Sequence, residues 1–253
     1  MNGRMIDKAK SPLLPLLRKL QLWGSFGSEE REALLSLPHS LVAYERNRHI
    51  VREGEEPTQT CVLLSGFACR NKRLGDGSRS IRSIHITGDI LDLQNAFLGR
   101  ADHNVQTLTP AEAALIPREA VRELAIAYPR IGMSLWYDTL VDASIFREWI
   151  ANVARRDATT RLAHLLCEFG TRLEATGVGE KTRFELPLTQ EQLADATGPT
   201  AVHVNRTLKE MEERGLIVRT VRDVTVSDWS RLQQAADFSD AYLHLPVPER
   251  ARG

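Results

Sequence analysis

The stretch around residues 189–214, LTQEQLADATGPTAVHVNRTLKEMEERG, constrains this chain more than any other, because it reads as two short helices joined by a glycine turn. Thr189 is placed to cap a helix over Gln190–Ala196, and Gln192 three residues on completes a capping-box pattern. Ala194 is small where two helices cross closely, and Gly198 supplies the backbone freedom a tight turn needs. Thr200 is the expected cap of the second helix, whose Val204, Leu208 and Met211 repeat at i, i+4 and i+7 and so predict the face packed on the first helix. A plain helical hairpin with solvated charges is the bland alternative. The sequel argues against it: Glu-Arg-Gly-Leu-Ile leads into strands at Leu216–Arg219 and Val221–Val226. A helix, a helix pair and a terminal hairpin is the layout of a winged helix-turn-helix.

The face opposite that stripe carries Val202, His203, Asn205, Arg206 and Lys209. A recognition helix enters the major groove with its N-terminal residues at the base edges. There Arg bonds guanine O6 and N7 in pairs, Asn bonds adenine, and Val touches only a thymine methyl. Val202, His203, Asn205 and Arg206 are therefore the candidate base-reading residues. Thr189, Gln190, Thr200, Lys209, Arg219 and Arg222 suit phosphates, which position a protein without reporting sequence. The whole chain carries 33 basic and 33 acidic residues, so the argument rests on local placement and not on net charge.

Before this region the texture changes twice. Leu13–Leu22 and a segment capped by Ser28 and ending before Pro38 read as short helices. From about 40 to 116, strand-length runs at Cys61–Leu64, Phe67–Leu74, Ile81–Ile86 and Ala113–Ile116 alternate with turn signals, the best of them Gly75-Asp76-Gly77. This predicts an antiparallel roll or sandwich. Arg118–Ala127 then reads as a helix ending before Pro129, and a longer one follows from Ile131 to about Asn152. In it Trp136, Thr139, Ala143, Phe146, Ile150 and Val153 are spaced 3, 4, 3, 4, 3, a coiled-coil seam. A helix lying on its own sheet is the alternative, but Ile145 and Trp149 widen the stripe, which favours a dimer. Arg155-Arg156-Asp157 is the expected hinge. Beyond it, Thr159–Leu173 reads as a helix, Thr182–Leu188 as a short strand, and Asp228 as the cap of a last helix through Ala236.

No run approaches the 18 apolar residues a membrane helix needs. The charged start (Arg4, Asp7, Lys8, Lys10) lacks an apolar core of a secretory signal. Cys61, Cys69 and Cys167 form no disulfide pattern, so a cytoplasmic protein is expected. Cys61 and Cys69 flank the Ser65-Gly66 turn, either as small buried apolar residues or as a redox pair facing each other across a hairpin.

These motifs resemble the cyclic-AMP receptor protein and FNR family of bacterial transcription regulators over nearly the whole chain. LLSGFACRNKRLGDGSRSIRSIHITGDIL is similar to the family's β-roll, 131–153 to its dimerisation helix and LTQEQLADATGPTAVHVNRTLKEMEERGLI to its DNA-binding helices. The resemblance implies an α+β fold in four segments. These are a β-roll sensor domain with flanking helices (1–127), a dimerisation helix and hinge (128–155), a winged helix-turn-helix (156–227) and a C-terminal helix and tail (228–253). It also implies a homodimer on two-fold-related half-sites of promoter DNA, acting with RNA polymerase. Carried over by position, Val202, Asn205 and Arg206 read bases. Many relatives have glutamate where this chain has Val202, so the preferred half-site is expected to differ there.

Relatives that bind cyclic AMP use a Gly-Glu pair for the ribose and an Arg-Ser or Arg-Thr pair for the phosphate. Here Gly88-Asp89 matches the first only loosely, and Arg100 is followed by Ala101-Asp102-His103, with no hydroxyl. These residues argue against a cyclic nucleotide. Three cysteines argue against a four-cysteine iron–sulfur cluster. The histidines (His39, His49, His85, His103, His164, His203, His244) show no H-x-H or H-x3-H spacing, so neither a metal nor another cofactor is identifiable. Asp89, Asp92, Arg100, Asp102 and His103 make the candidate pocket for an unknown small-molecule effector, the alternative being a solvated loop. The rival readings are a cyclic-nucleotide-responsive module that acts through protein contacts alone, without DNA binding, and a cupin-type enzyme, for which His85 stands without companion ligands on the strands.

Overall fold

The computed structural model describes residues 11–246. The charged residues Arg4, Asp7, Lys8 and Lys10 lie outside them, as do the outer ends of the first and last expected segments. The chain divides into two compact units, Met1–Asn71 with Ile84–Leu140, and Lys72–Ser83 with Val141–Gly253. That division differs from the expected segments: it cuts the long helix and assigns residues 72–83 to the second unit.

Helices α1 (Leu14–Leu20) and α2 (Ser28–Leu35) precede strands β1 (Ser40–Tyr44), β2 (His49–Val51), β3 (Gln59–Ser65), β4 (Ala68–Arg73), β5 (Arg79–His85), β6 (Asn104–Thr107) and β7 (Ala111–Pro117), all in the first unit except the end of β4 and most of β5, which fall in residues 72–83. The cap of α2 is Gly27 and not Ser28, because the Glu30 carboxylate turns back to accept the Gly27 amide at 2.7 Å. The strands form two antiparallel sheets, β1-β7-β3 and β2-β6-β4-β5. Side chains of a strand alternate between faces, and β3 uses both. Cys61 and Leu63 enter a cluster inside the roll with Val51, Ala68, Leu91 and Val105. Val62 faces the other way, into a second cluster with Leu13, Leu17 and Leu20 of the α1 region, Val121 and Leu124 of α3 (Arg118–Ala127), and Ile131. Cys61 and Cys69 therefore stand on strands of different sheets and do not face each other across a hairpin; both are buried and neither is in a disulfide. The β3–β4 corner turns at Gly66, φ +77°, where a Cβ would collide with the Pro110 carbonyl oxygen. The Gly75-Asp76-Gly77 hairpin closes as expected, Asp76 accepting the Ser78 amide at 2.9 Å.

Helix α4 runs over 27 residues, Pro129–Arg155. It leaves Met133, Trp136, Leu140 and Ile150 more than half exposed, at 59%, 60%, 53% and 66%. Ile145 and Trp149, expected to widen this stripe, instead face inward and are buried. The Trp149 indole Nε1 donates to Glu168 at 2.9 Å.

The second unit is built around α5 (Ala158–Ala175), which is buried from Leu162 to Leu173 and so is enclosed on nearly every side. Asp157 caps it, accepting the Thr160 amide at 2.8 Å. Strand β8 (Arg183–Glu185), helices α6 (Gln190–Thr197) and α7 (Ala201–Glu213), strands β9 (Ile217–Arg219) and β10 (Asp223–Val226), and α8 (Trp229–Ala236) follow. The three strands pair in the order β8-β10-β9. β8 is shorter than the expected Thr182–Leu188, since Pro187 has no amide to give a ladder. Asp228 caps α8 by accepting the Arg231 amide. A 3-10 turn at Asp240–Leu243 then carries Tyr242 back over α5, where its hydroxyl donates to Glu168 at 2.9 Å. Among the described residues no helix is long and apolar enough to cross a membrane.

Candidate functional site

Helices α6 and α7 are held as a pair by the devices their residue types suggest. The Thr189 hydroxyl accepts the Gln192 amide at 3.2 Å, and the Gln192 side chain accepts the Thr189 amide at 2.9 Å, which satisfies two of the free amides at the start of α6. Gly198 ends α6 in the left-handed conformation, φ +91°, and its amide donates to the Ala194 carbonyl at 2.7 Å. Arg161 of α5 fixes the turn from below by donating to the Thr197 carbonyl at 3.0 Å. Thr200 caps α7, accepting the His203 amide at 3.3 Å. Val204, Leu208 and Met211 are fully enclosed against α5 and α6.

This packing decides which side chains remain outside. Val202 is 83% exposed, Arg206 and Lys209 are exposed, and His203 and Asn205 are half-buried on the same outward side of α7. Arg206 is held loosely: Nη2 lies 3.5 Å from His203 Nε2 and Nε 3.6 Å from Glu210, with most of the side chain in solvent. Exposed ion pairs of this kind contribute little and are easily exchanged for another partner. Thr189, Gln190 and Thr200 are exposed at the two helix starts, and Val221 and Arg222 at the tip of the β9–β10 hairpin. Arg219 differs from its expected role. Its Nη2 donates to Glu212 at 2.8 Å and holds the wing to α7, which in turn holds the Glu212 carboxyl below the usual range.

Of the expected effector residues only Asp102 and His103 meet, and the five do not form one pocket. Asp89 turns toward α1, where Lys19 Nζ lies 2.9 Å away and the Ile86 amide donates to it at 3.1 Å. Gly88 backs onto the Pro15 carbonyl. Arg100 donates to the Gly54 carbonyl at 2.9 Å. Asp102 is exposed and pairs with His103 at 2.6 Å; that imidazole is buried, with Gln94 3.2 Å from its other nitrogen. Asp92, 1% exposed, immediately precedes the 3-10 turn Leu93–Ala96 and lines the inside of the roll with Cys61. Its Oδ1 accepts the Cys61 amide at 2.7 Å, and burial pushes its carboxyl up to about 6, moderated by that hydrogen bond, by Arg70 and by the Asn95 side chain. The Cys61 thiol is likewise pushed well up by burial and by Asp92.

Asp92 and Cys61 line a cavity of about 440 Å³ with Ile50, Val51, Leu115 and the 55–59 loop, which brings Glu55 and Glu56. Its ionisable side chains are carboxylates and a thiol. A cyclic nucleotide does not fit here: the Gly88-Asp89 pair is committed to α1, and three carboxylates would face its phosphate. Proximity in sequence made 89–103 look like one acidic edge, whereas the loop residues Glu55 and Glu56 carried no signal that would have joined them to Asp92. Among the described residues no group of three or more His, Cys, Asp or Glu could hold a metal ion.

Two family models match the chain: a cyclic nucleotide-binding domain over residues 41–128 and a Crp-like helix-turn-helix domain over residues 160–235. Among curated proteins, the transcriptional activator protein FnrL of Cereibacter sphaeroides is 26% identical over 211 residues, covering 79% of this chain and 82% of the relative. The CRP-like cAMP-activated global transcriptional regulator of Mycobacterium tuberculosis is 26% identical over 216 residues, 84% of this chain and 96% of that protein. Among solved structures, FixK2 from Bradyrhizobium japonicum superposes with a TM-score of 0.73 at 20% identity, covering 80% of this chain and 100% of that one.

Proposed function

The chain belongs to the Crp-Fnr family of bacterial transcription regulators, and from that premise we propose how it reads and grips promoter DNA. It acts in the cytoplasm as a homodimer, with the two copies of α7 in successive major grooves roughly 34 Å apart. The stripe Met133, Trp136, Leu140, Ile150 supports the dimer, since four large apolar side chains on one helix are costly to leave in water. Ala143 and the half-buried Phe146 lie along the same side, with Val153 near its end, while Thr139 spends its hydroxyl on the Leu135 carbonyl.

The observation that carries the reading is the outward face of α7. Arg206 is suited to a guanine and Asn205 to an adenine, while Val202 offers only a methyl contact. Thr189, Gln190, Thr200, Lys209 and Arg222 supply phosphate contacts. The dimer then favours or blocks RNA polymerase at the promoter. Replacing Arg206 by alanine is expected to cost specific binding about 1–3 kcal/mol and to relax selectivity at one base pair while the fold is kept. Unchanged selectivity, measured by competition between matched and mismatched duplexes, would refute the base-reading role.

A further inference from the structure

The roll cavity is a site in its own right. Its walls are apolar at Val51 and Leu115, while Glu55 and Glu56, both exposed, line it from the adjoining loop. On the inner side is Asp92, 1% exposed, whose Oδ1 is committed to the Cys61 amide; its Oδ2 makes no hydrogen bond, and the neighbouring Asn95 side chain, also without a hydrogen-bond partner, eases the burial of the carboxyl without closing on it. A buried polar atom left without a partner is expensive, and native proteins keep few. Arg70, whose Nε donates to the Leu91 carbonyl at 2.8 Å, acts on this carboxyl through its charge from outside the cavity, and among the described residues no cationic side chain lines the cavity itself. The loop is also fixed in place. Glu55 accepts the Arg52 amide at 3.0 Å, and its carbonyl accepts the Ala101 amide at 2.9 Å.

We propose that this cavity binds a small aliphatic diamine, one ammonium donating to Asp92 Oδ2 and the other reaching Glu55 and Glu56 across the apolar walls. The charge pattern selects for it. A cation with hydrogens to donate satisfies the orphaned oxygen, an anion meets three carboxylates, and a hydrocarbon spacer fits Val51 and Leu115. With its carboxyl near 6, Asp92 is mostly ionised at pH 7.5 and ready to accept. Glu55 and Glu56 contribute the second charge without being buried, so the ligand is held at both ends and desolvated only at one. In a regulator that reads promoter DNA this is the input; the binding itself does not depend on that reading.

The test is calorimetric titration of the full-length protein at pH 7.5, without DNA, using 1,4-diaminobutane, with butylamine and cyclic AMP as comparators. Saturable binding of the diamine is expected, with butylamine at least tenfold weaker and no competition from cyclic AMP. Asp92→Asn should weaken the diamine at least tenfold. The double variant Glu55→Gln/Glu56→Gln, confined to exposed positions, should weaken it several-fold, and it decides the matter if Asp92→Asn does not fold. Absence of saturable binding, equal binding by the double variant, or displacement by cyclic AMP would overturn the proposal. Because no DNA is present, such a failure leaves the DNA-reading assignment standing, and a failure of DNA binding leaves this one standing.

Discussion

The indole of Trp149 and the carboxylate of Glu168 meet at 2.9 Å inside the second unit, and this one hydrogen bond ties the last turns of α4 to α5. Tyr242 donates to the same carboxylate oxygen at 2.9 Å, and Arg172 lies 3.5 Å from the other. Glu168 is fully enclosed, and burial raises its carboxyl above the usual range against the pull of these partners. The C-terminal turn, α4 and α5 thus share one buried anchor.

Trp149→Phe removes one donor and leaves room beside the carboxylate. The carboxylate keeps Tyr242 and Arg172, so the loss is that of one hydrogen bond to a buried charged group, about 1–3 kcal/mol, which for a chain of this size lowers the melting temperature by roughly 2–4 °C per kcal/mol. Differential scanning calorimetry at neutral pH should show that drop. An unchanged transition would mean that Glu168 does not depend on the indole.

A second prediction concerns acid. Burial, aided by Arg156, pulls His164 down to about 4, against Glu148 at 3.3 Å and Asp237, with Tyr242 stacked on the ring and Phe238 at its edge. A histidine depressed in the folded state is protonated more readily when unfolded. Its contribution is therefore whole above about pH 6.5 and is lost as the pH falls from there toward 4. Asp92, raised by burial, titrates with the opposite sign, its cost growing as pH rises from 3.8 to about 6. The informative quantity is the difference between wild type and His164→Phe: the wild type should lose more melting temperature between pH 7 and pH 5. Parallel curves would contradict it.

The exposed stripe gives a third. Ile150 is the most exposed apolar side chain of the predicted seam, so Ile150→Glu disturbs no core within the protomer. Two buried carboxylates facing each other across a two-fold axis should yield monomers in sedimentation velocity, with affinity for a two-half-site duplex falling at least a hundredfold as bivalency is lost. A dimer that survives would locate the interface elsewhere.

Much of this was legible where residue types act locally. Pro117 and Pro129 bracket α3, and Thr189, Gln192, Gly198, Thr200 and Asp228 mark helix ends through their own backbone chemistry. β1, β2 and β6 were not foreseen. Asn104–Thr107 is polar and four residues long, and it is a strand only because β2 and β4 lie on either side. The heptad reading of α4 found the helix but not the full division of its faces. An apolar residue on a long helix serves a partner or its own chain equally well by spacing, and Trp149 went to its own chain because Glu168 waits there. The cavity was illegible for a similar reason: Glu55, Glu56 and Asp92 meet only after the roll closes.

Selection of bound duplexes from a random pool by the full-length protein tests the central claim most directly. An inverted repeat is expected, with half-site centres about one helical turn apart, and Val202→Glu should change the preferred base at one symmetric pair by allowing a bond to cytosine N4. Enrichment of no sequence, of a site without two-fold symmetry, or of the same half-site by both proteins would contradict the account.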